Sequence, residues 1–163
     1  MQDHIVILVD TREKVWGHIE DYFKNNEINY RKQTLQSGDY SFILEYDKEL
    51  HIFAKQIVIE RKNSLDELTQ CFGRERARFE REFQRLKNSN TQVFLLIEEG
   101  SFDGLYKHQY RSSLANTSAE NTLLSWMTKY NIMPIFAKKE NSGRIIHNIF
   151  KLYLKNYLEG KID

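Results

Sequence analysis

Asp39, Glu60 and Lys62 are the residues whose types and spacing carry the most chemistry in this chain. Asp39 follows Gly38 at the start of a predicted strand, Tyr40–Tyr46. Glu60 closes the next apolar strand, predicted over Lys55–Glu60 around Ile57-Val58-Ile59, and Lys62 lies two residues further on. A buried strand that ends in Glu-Arg-Lys is costly unless those charges have a task. If the two strands pair, Asp39 and Glu60 converge at one end of a sheet and would bind a hard divalent cation, Mg2+ or Mn2+. Side chains alternate along a strand, so Glu60 and Lys62 share a face and Arg61 points the other way. Lys62 would then hold or polarise an attacking water, or neutralise charge building on a phosphate. That is equipment for metal-assisted phosphodiester hydrolysis. Taken one residue at a time, the same groups also read as an ordinary ion pair at a strand end.

Other chemistries have little to stand on. There is no Gly-rich phosphate loop with a lysine, no GxGxxG and no GxSxG elbow. None of the histidines, at positions 4, 18, 51, 108 and 147, pairs at metal-ligand spacing. The single cysteine, Cys71, excludes an intramolecular disulfide and a Cys-rich zinc site, and fits a reducing compartment.

The elements that must position these residues follow from periodicity. Ile5–Val9 is a β-branched apolar run, a buried strand ending at Asp10. Helical spacing covers Lys14–Asn26, and Ile28–Leu35 reads as a short strand. Ser37-Gly38-Asp39 is turn chemistry, and Asp47–Leu50 reads as a hairpin turn. Ser64 with Glu67 forms a capping box for a helix carrying Leu65, Leu68 and Phe72 on one face. Gly73 breaks it, and Arg74–Lys87 resumes with Phe79, Phe83 and Leu86. Val93–Ile97 and Ile132–Phe136 read as strands, Ser118–Tyr130 and Asn141–Leu158 as helices, and Ser101–Thr117 as irregular. The pattern is an α/β domain with a mixed sheet between helices.

At 163 residues and 40% hydrophobic, the chain is expected to form one domain, residues 1–163. Met1-Gln2-Asp3-His4 has no basic head and no apolar run reaches a spanning length, so we expect a cytoplasmic protein without a membrane segment. The net charge of +1 does not advertise a nucleic-acid binder. Its distribution says more: residues 60–87 carry 8 basic and 6 acidic groups, and residues 138–161 carry 6 and 2. Such patches attract phosphate even when the sum is near zero, although solvated helix faces look the same.

Together the motifs resemble something specific. Gly38-Asp39-Tyr40, an intervening strand pair, and then Ile59-Glu60-Arg61-Lys62-Asn63-Ser64-Leu65-Asp66 are similar to the signature of XPF/MUS-type structure-specific DNA endonucleases. Val9-Asp10-Thr11-Arg12-Glu13, Gly73-Arg74, Ile97-Glu98-Glu99-Gly100 and the stretch around Pro134 resemble further segments of that family. The resemblance implies a restriction-endonuclease-like fold, a central mixed β-sheet flanked by α-helices. It implies Asp39 and Glu60 as metal ligands, Lys62 as the catalytic lysine and Asp10 as a further active-site carboxylate and metal ligand. Arg61 and Asp66 would be supporting residues. Arg12 and Arg74 or Arg78 would contact phosphate, with Arg76 not distinguished from its neighbours by spacing. The expected activity is endonucleolytic cleavage of branched or flapped DNA in repair or recombination. Two other readings stay open, a catalytically silent DNA-binding or scaffold subunit and a phage-type junction-processing nuclease.

Family members commonly carry a tandem helix-hairpin-helix module after the nuclease domain. No such module follows in this sequence, and a separate DNA-binding partner is expected to replace it. A homodimer is also expected. Ile145, Leu152 and Leu154 extend the apolar surface of the last helix beyond the stripe Ile146, Ile149, Phe150, Tyr153 and Tyr157, and the helix before it adds Leu123, Leu124, Trp126 and Met127.

Overall fold

Ile5–Val9 forms β1, and every one of its side chains is buried. In this computed structural model, which describes residues 4–163, the remaining elements are α1 (Gly17–Asn25), β2 (Tyr30–Lys32), β3 (Tyr40–Tyr46), β4 (Glu49–Ile52) and β5 (Ile57–Lys62). They are followed by α2 (Leu65–Phe72), α3 (Arg76–Asn88), β6 (Gln92–Glu98), α4 (Phe102–Tyr106), α5 (Asn116–Tyr130), β7 (Ile132–Ala137) and α6 (Ser142–Leu158). The expectation resting on Met1–Asp3 lies outside the described residues. The chain divides into two compact units, residues 1–58 with 140–163, and residues 59–139. The fold is α/β, with parallel and antiparallel strand pairs flanked by helices.

In the first unit β1 pairs in parallel with β2, Val9 opposite Lys32, and antiparallel with β3, Val9 opposite Tyr40. β4 returns antiparallel on β3 through a tight turn whose central residues, Asp47 and Lys48, both take positive φ (50° and 66°). That is the mirror-image turn that suits the twist of a two-residue hairpin. Ser41 donates its hydroxyl to the Ile57 carbonyl at 2.8 Å, where β5 begins. Helix α1 buries Ile19 and Phe23, and α6 packs on α1 and β3. Gly143 permits that approach, because a Cβ there would lie 2.7 Å from Tyr22 Cβ. Phe42 stacks on Phe53 at 4.5 Å between ring centres, and Phe150 and Tyr153 of α6 close over them.

In the second unit the strand order is β5-β6-β7. β6 and β7 run parallel, from Val93 opposite Ile132 to Glu98 opposite Ala137. Pro134 costs no ladder bond that cannot be spared, because β7 ends the sheet. Ser64 Oγ accepts the Glu67 amide at 3.1 Å and Glu67 reaches back to the Asn63 amide, the expected capping box with its return bond one residue earlier. Trp126 is fully buried, edge-on to Phe72 and Phe83, and donates its indole N–H to Glu80 at 3.0 Å.

Several elements differ from expectation. α1 starts at Gly17 rather than Lys14, because residues 11–16 form a loop in which Val15 takes a φ of 52°. β2 has three residues, β4 is a strand where only a turn was expected, and α4 is a short helix inside the segment read as irregular. Leu154, expected to widen the outer face of α6, is fully buried, whereas Leu152 remains 55% exposed. Among the described residues no helix is long and apolar enough to cross a membrane.

Candidate active site

The first unit brings Asp10 and Asp39 together. Asp10 directly follows β1 and Asp39 precedes β3, and the antiparallel register makes the Asp10 N–H donate to the Asp39 carbonyl at 2.8 Å. Gly38, with φ 79°, supplies the left-handed turn residue that delivers Asp39 to this position. The Asp10 side chain is buried and heavily engaged. Its Oδ2 accepts from the Arg12 amide (3.1 Å) and Arg12 Nε (2.8 Å), and its Oδ1 from the Leu35 amide (2.8 Å) and Arg12 Nη2 (3.3 Å). Burial alone would push this carboxyl up. The Arg12 side chain and the Leu35 and Arg12 amides outweigh it and hold Asp10 below the ordinary aspartate value. Arg12 also donates to the Leu35 carbonyl at 3.0 Å, so within this unit it braces the Asp10 end of the sheet. Lys32, to which spacing drew no notice, joins it. Its Nζ donates to the Asp10 and Glu13 carbonyls and rests 4.8 Å from the Trp16 ring centre. The signal for it was its place opposite the end of β1.

The second unit holds the acid–lysine pair. On β5, Lys62 Nζ lies 3.4 Å from Glu60 Oε1 and 3.9 Å from Glu67 Oε1. Arg61 points the other way and ion-pairs with Glu98 of β6, both side chains being buried. The alternation expected from the sequence is thus realised. Lys62 is only 4% exposed, and its ammonium sits 4.1 Å from the centre of the Phe79 ring, which thereby supports the charge as well as the core. Cys71 lies nearby with its thiol pushed up by burial, an inert group in this setting.

The arginines separate by partner. Arg78 stacks on the same Phe79 ring at 4.6 Å and pairs with Glu75. Arg76 turns to Glu80 and to Thr122 of α5. Arg74 is exposed in the turn between α2 and α3. Asp66, in the first turn of α2, accepts the Arg111 amide at 2.6 Å and faces its guanidinium at 3.6 Å, so it anchors the α4–α5 connection.

Asp39 and Glu60 are hard oxygen donors of the kind that suit Mg2+ or Mn2+. Among the described residues no group of three or more His, Cys, Asp and Glu side chains is gathered as a metal cage. Mg2+ has little need of one, since it keeps several waters and is held by one or two carboxylates plus substrate phosphate. Asp10, with both oxygens already accepting two N–H groups each, is better suited to orienting its neighbours than to direct ligation.

An α/β fold with paired acidic residues at one strand end, and an acid–lysine pair on another strand, belongs to a definable class. The chain belongs to the ERCC4 domain family, whose model matches residues 9–149. Among solved structures it is similar to XPF from Aeropyrum pernix in complex with DNA, with a TM-score of 0.65 and 18% identity, covering 92% of this chain and 65% of that one. It is likewise similar to XPF from Aeropyrum pernix solved alone, at a TM-score of 0.66 and 19% identity, covering 96% and 68%. The chain therefore spans about two thirds of the length of these structures. The likeness establishes the restriction-endonuclease-like fold expected from the sequence. A comparison with curated proteins finds no match.

Proposed function

We propose that this chain is a divalent-metal-dependent DNA endonuclease domain that hydrolyses phosphodiester bonds in branched or flapped DNA during repair or recombination. The observation that carries the reading is the Glu60–Lys62 pair. An ERCC4 domain that keeps a buried, supported ammonium beside a carboxylate, with Arg61 independently neutralised by Glu98, retains the groups a silent member would have no reason to hold. Asp39 and Glu60 would hold Mg2+ or Mn2+, which supplies Lewis-acid charge stabilisation at the phosphate when bound. Lys62 contributes a positive charge that Phe79 and Glu60 keep oriented, matched to the charge that develops on the phosphoryl oxygens. Arg78 and Arg74 supply phosphate contacts, Asp10 and Arg12 fix the strand end that presents Asp39, and a second copy of the chain completes a homodimer. A separate DNA-binding partner would supply the grip of a helix-hairpin-helix module.

The test is a cleavage panel of branched, flapped, nicked and linear DNA with Mg2+ and with Mn2+. Wild type should cut the branched substrates. Glu60→Ala and Lys62→Ala should each lower the rate at least about 100-fold, the size expected when one charge-stabilising group is removed, with the circular-dichroism spectrum retained. Robust Mg2+-dependent cutting by Glu60→Ala overturns the assignment, and binding without cutting by wild type makes the chain a DNA-binding subunit instead.

A further inference from the structure

The connection between α4 and α5 interleaves aromatic and basic residues, Tyr106-Lys107-His108-Gln109-Tyr110-Arg111, and the endonuclease reading above leaves them without a task. His108 and Tyr110 stack on each other, 4.1 Å between ring centres and 24° between planes, with His108 exposed. Tyr106 is exposed as well, and Arg111 has 95% of its side chain in solvent. Lys107 pairs with the exposed Asp103, a surface contact that competes weakly with phosphate.

This segment is irregular and yet firmly built. His108 takes a left-handed φ of 55° and its Nε2 bonds the Ser112 carbonyl at 2.8 Å. Tyr110 donates its hydroxyl to the Leu114 carbonyl at 2.7 Å, and Asn116 donates to the Tyr106 carbonyl at 2.6 Å. Asp66 fixes the Arg111 amide, and Ser112 reaches Thr69. Asp66 stands four residues beyond Lys62, so the helix that follows the acid–lysine strand is also what holds the aromatic loop. Between them lies a cavity of about 300 Å3, lined by Ser64, Leu65, Asp66, Gln109, Tyr110 and Arg111 among others. Rings ordered before binding, flanked by cations that are weakly paired, are what an unpaired base and its phosphates require. Every base has a face to stack, and a prepaid loop loses no further entropy on receiving it.

We propose that residues 106–111 form a stacking platform for an unpaired nucleotide of the DNA substrate, His108 and Tyr110 receiving the base and Lys107 and Arg111 its phosphates. This deepens the endonuclease reading and rests on it. It assigns recognition of an unpaired base to the residues of this loop.

The experiment uses the full chain and two labelled DNAs, a blunt duplex and the same duplex with a short unpaired tail containing 2-aminopurine. Wild type should bind the tailed DNA more tightly and quench its fluorescence. The double variant His108→Asn, Tyr110→Ala should lose roughly tenfold of affinity for the tailed DNA and lose the quench, with blunt-duplex binding and the circular-dichroism spectrum retained. Asparagine tolerates the left-handed backbone at position 108. Tyr110→Phe keeps the ring without the bond to Leu114 and should behave as wild type. A double variant that keeps the tail preference, or a Tyr110→Phe variant that loses it to the same extent, overturns the platform. Wild type that binds blunt and tailed DNA alike overturns it too, while leaving the nuclease reading in place. Wild type that binds neither DNA overturns the platform, and the cleavage panel then decides the endonuclease reading separately.

Discussion

Lys62 is held by a carboxylate at 3.4 Å, a second at 3.9 Å and an aromatic face at 4.1 Å, and that same ring carries Arg78. Of the three arginines that spacing left equivalent, Arg78 is therefore the one that shares Lys62's surroundings, and Arg76 belongs to the α3–α5 packing. Arg78→Gln should weaken DNA binding across all sequences and reduce the slope of log K against log salt by about 1, as the loss of one phosphate contact does. Arg76→Gln should leave that slope unchanged, and titrations at several salt concentrations compare the two. Asp10 gives a pH signature. Its folded pKa lies below the ordinary value, so its stabilising contribution is complete above about pH 4 and is lost as the pH falls through the folded pKa. Asp10→Asn should lower the urea midpoint at neutral pH, and the gap from wild type should narrow as the pH falls through the folded pKa. A gap that does not change with pH would mean that the charge is not what matters. The pairing of Glu60 with Lys62 was legible because a strand's period is two. The engagement of Asp10 by Arg12 was not, because it depends on how the 11–16 loop turns, and a Val15 in the left-handed region is something no local preference announces.

β5 and β6 are tied at their charged ends by Arg61 and Glu98, each almost completely buried. Breaking such a pair leaves one charge stranded, at a cost of about 3–5 kcal/mol, whereas replacing both partners by apolar groups of similar volume is close to neutral. Glu98→Gln should accordingly shift the urea midpoint sharply downward, and Arg61→Met with Glu98→Leu should recover most of it. Similar losses in the single and double variants would place the stability elsewhere. The strands that read clearly in the sequence, β1, β3 and β6, are those with buried apolar runs bounded by charge or turn residues. β4 escaped notice because all four of its residues are exposed and its turn uses Asp-Lys rather than a glycine pair. α4 escaped for a different reason, since five residues cannot display a helical period.

Across the whole molecule, exposed apolar side chains remain on α6, Leu152, Tyr157 and Leu158, with Ile145 half-buried one helical repeat before Leu152. We expect a homodimer in which this side of α6 takes part. Sedimentation at micromolar concentration should give twice 19.6 kDa, and Leu152→Glu should return the monomer without unfolding it. Leu154→Glu should instead unfold the chain, since Leu154 is a core residue. A wild-type monomer, or a Leu152→Glu protein that still dimerises, sets that interface aside. The chain's fold class was legible from the alternation of strands and helices, but its division was not. The first unit is discontinuous, drawing on residues 1–58 and 140–163, and that has a consequence for synthesis. A ribosome completes residues 59–139 before α6 exists, and at roughly 5–20 residues per second the delay is on the order of ten seconds. During that time Phe42 and Phe53 on the early sheet lack Phe150 and Tyr153, the aromatic rings that later close over them. The nascent N-terminal segment thus keeps an open hydrophobic surface until the last helix leaves the exit tunnel.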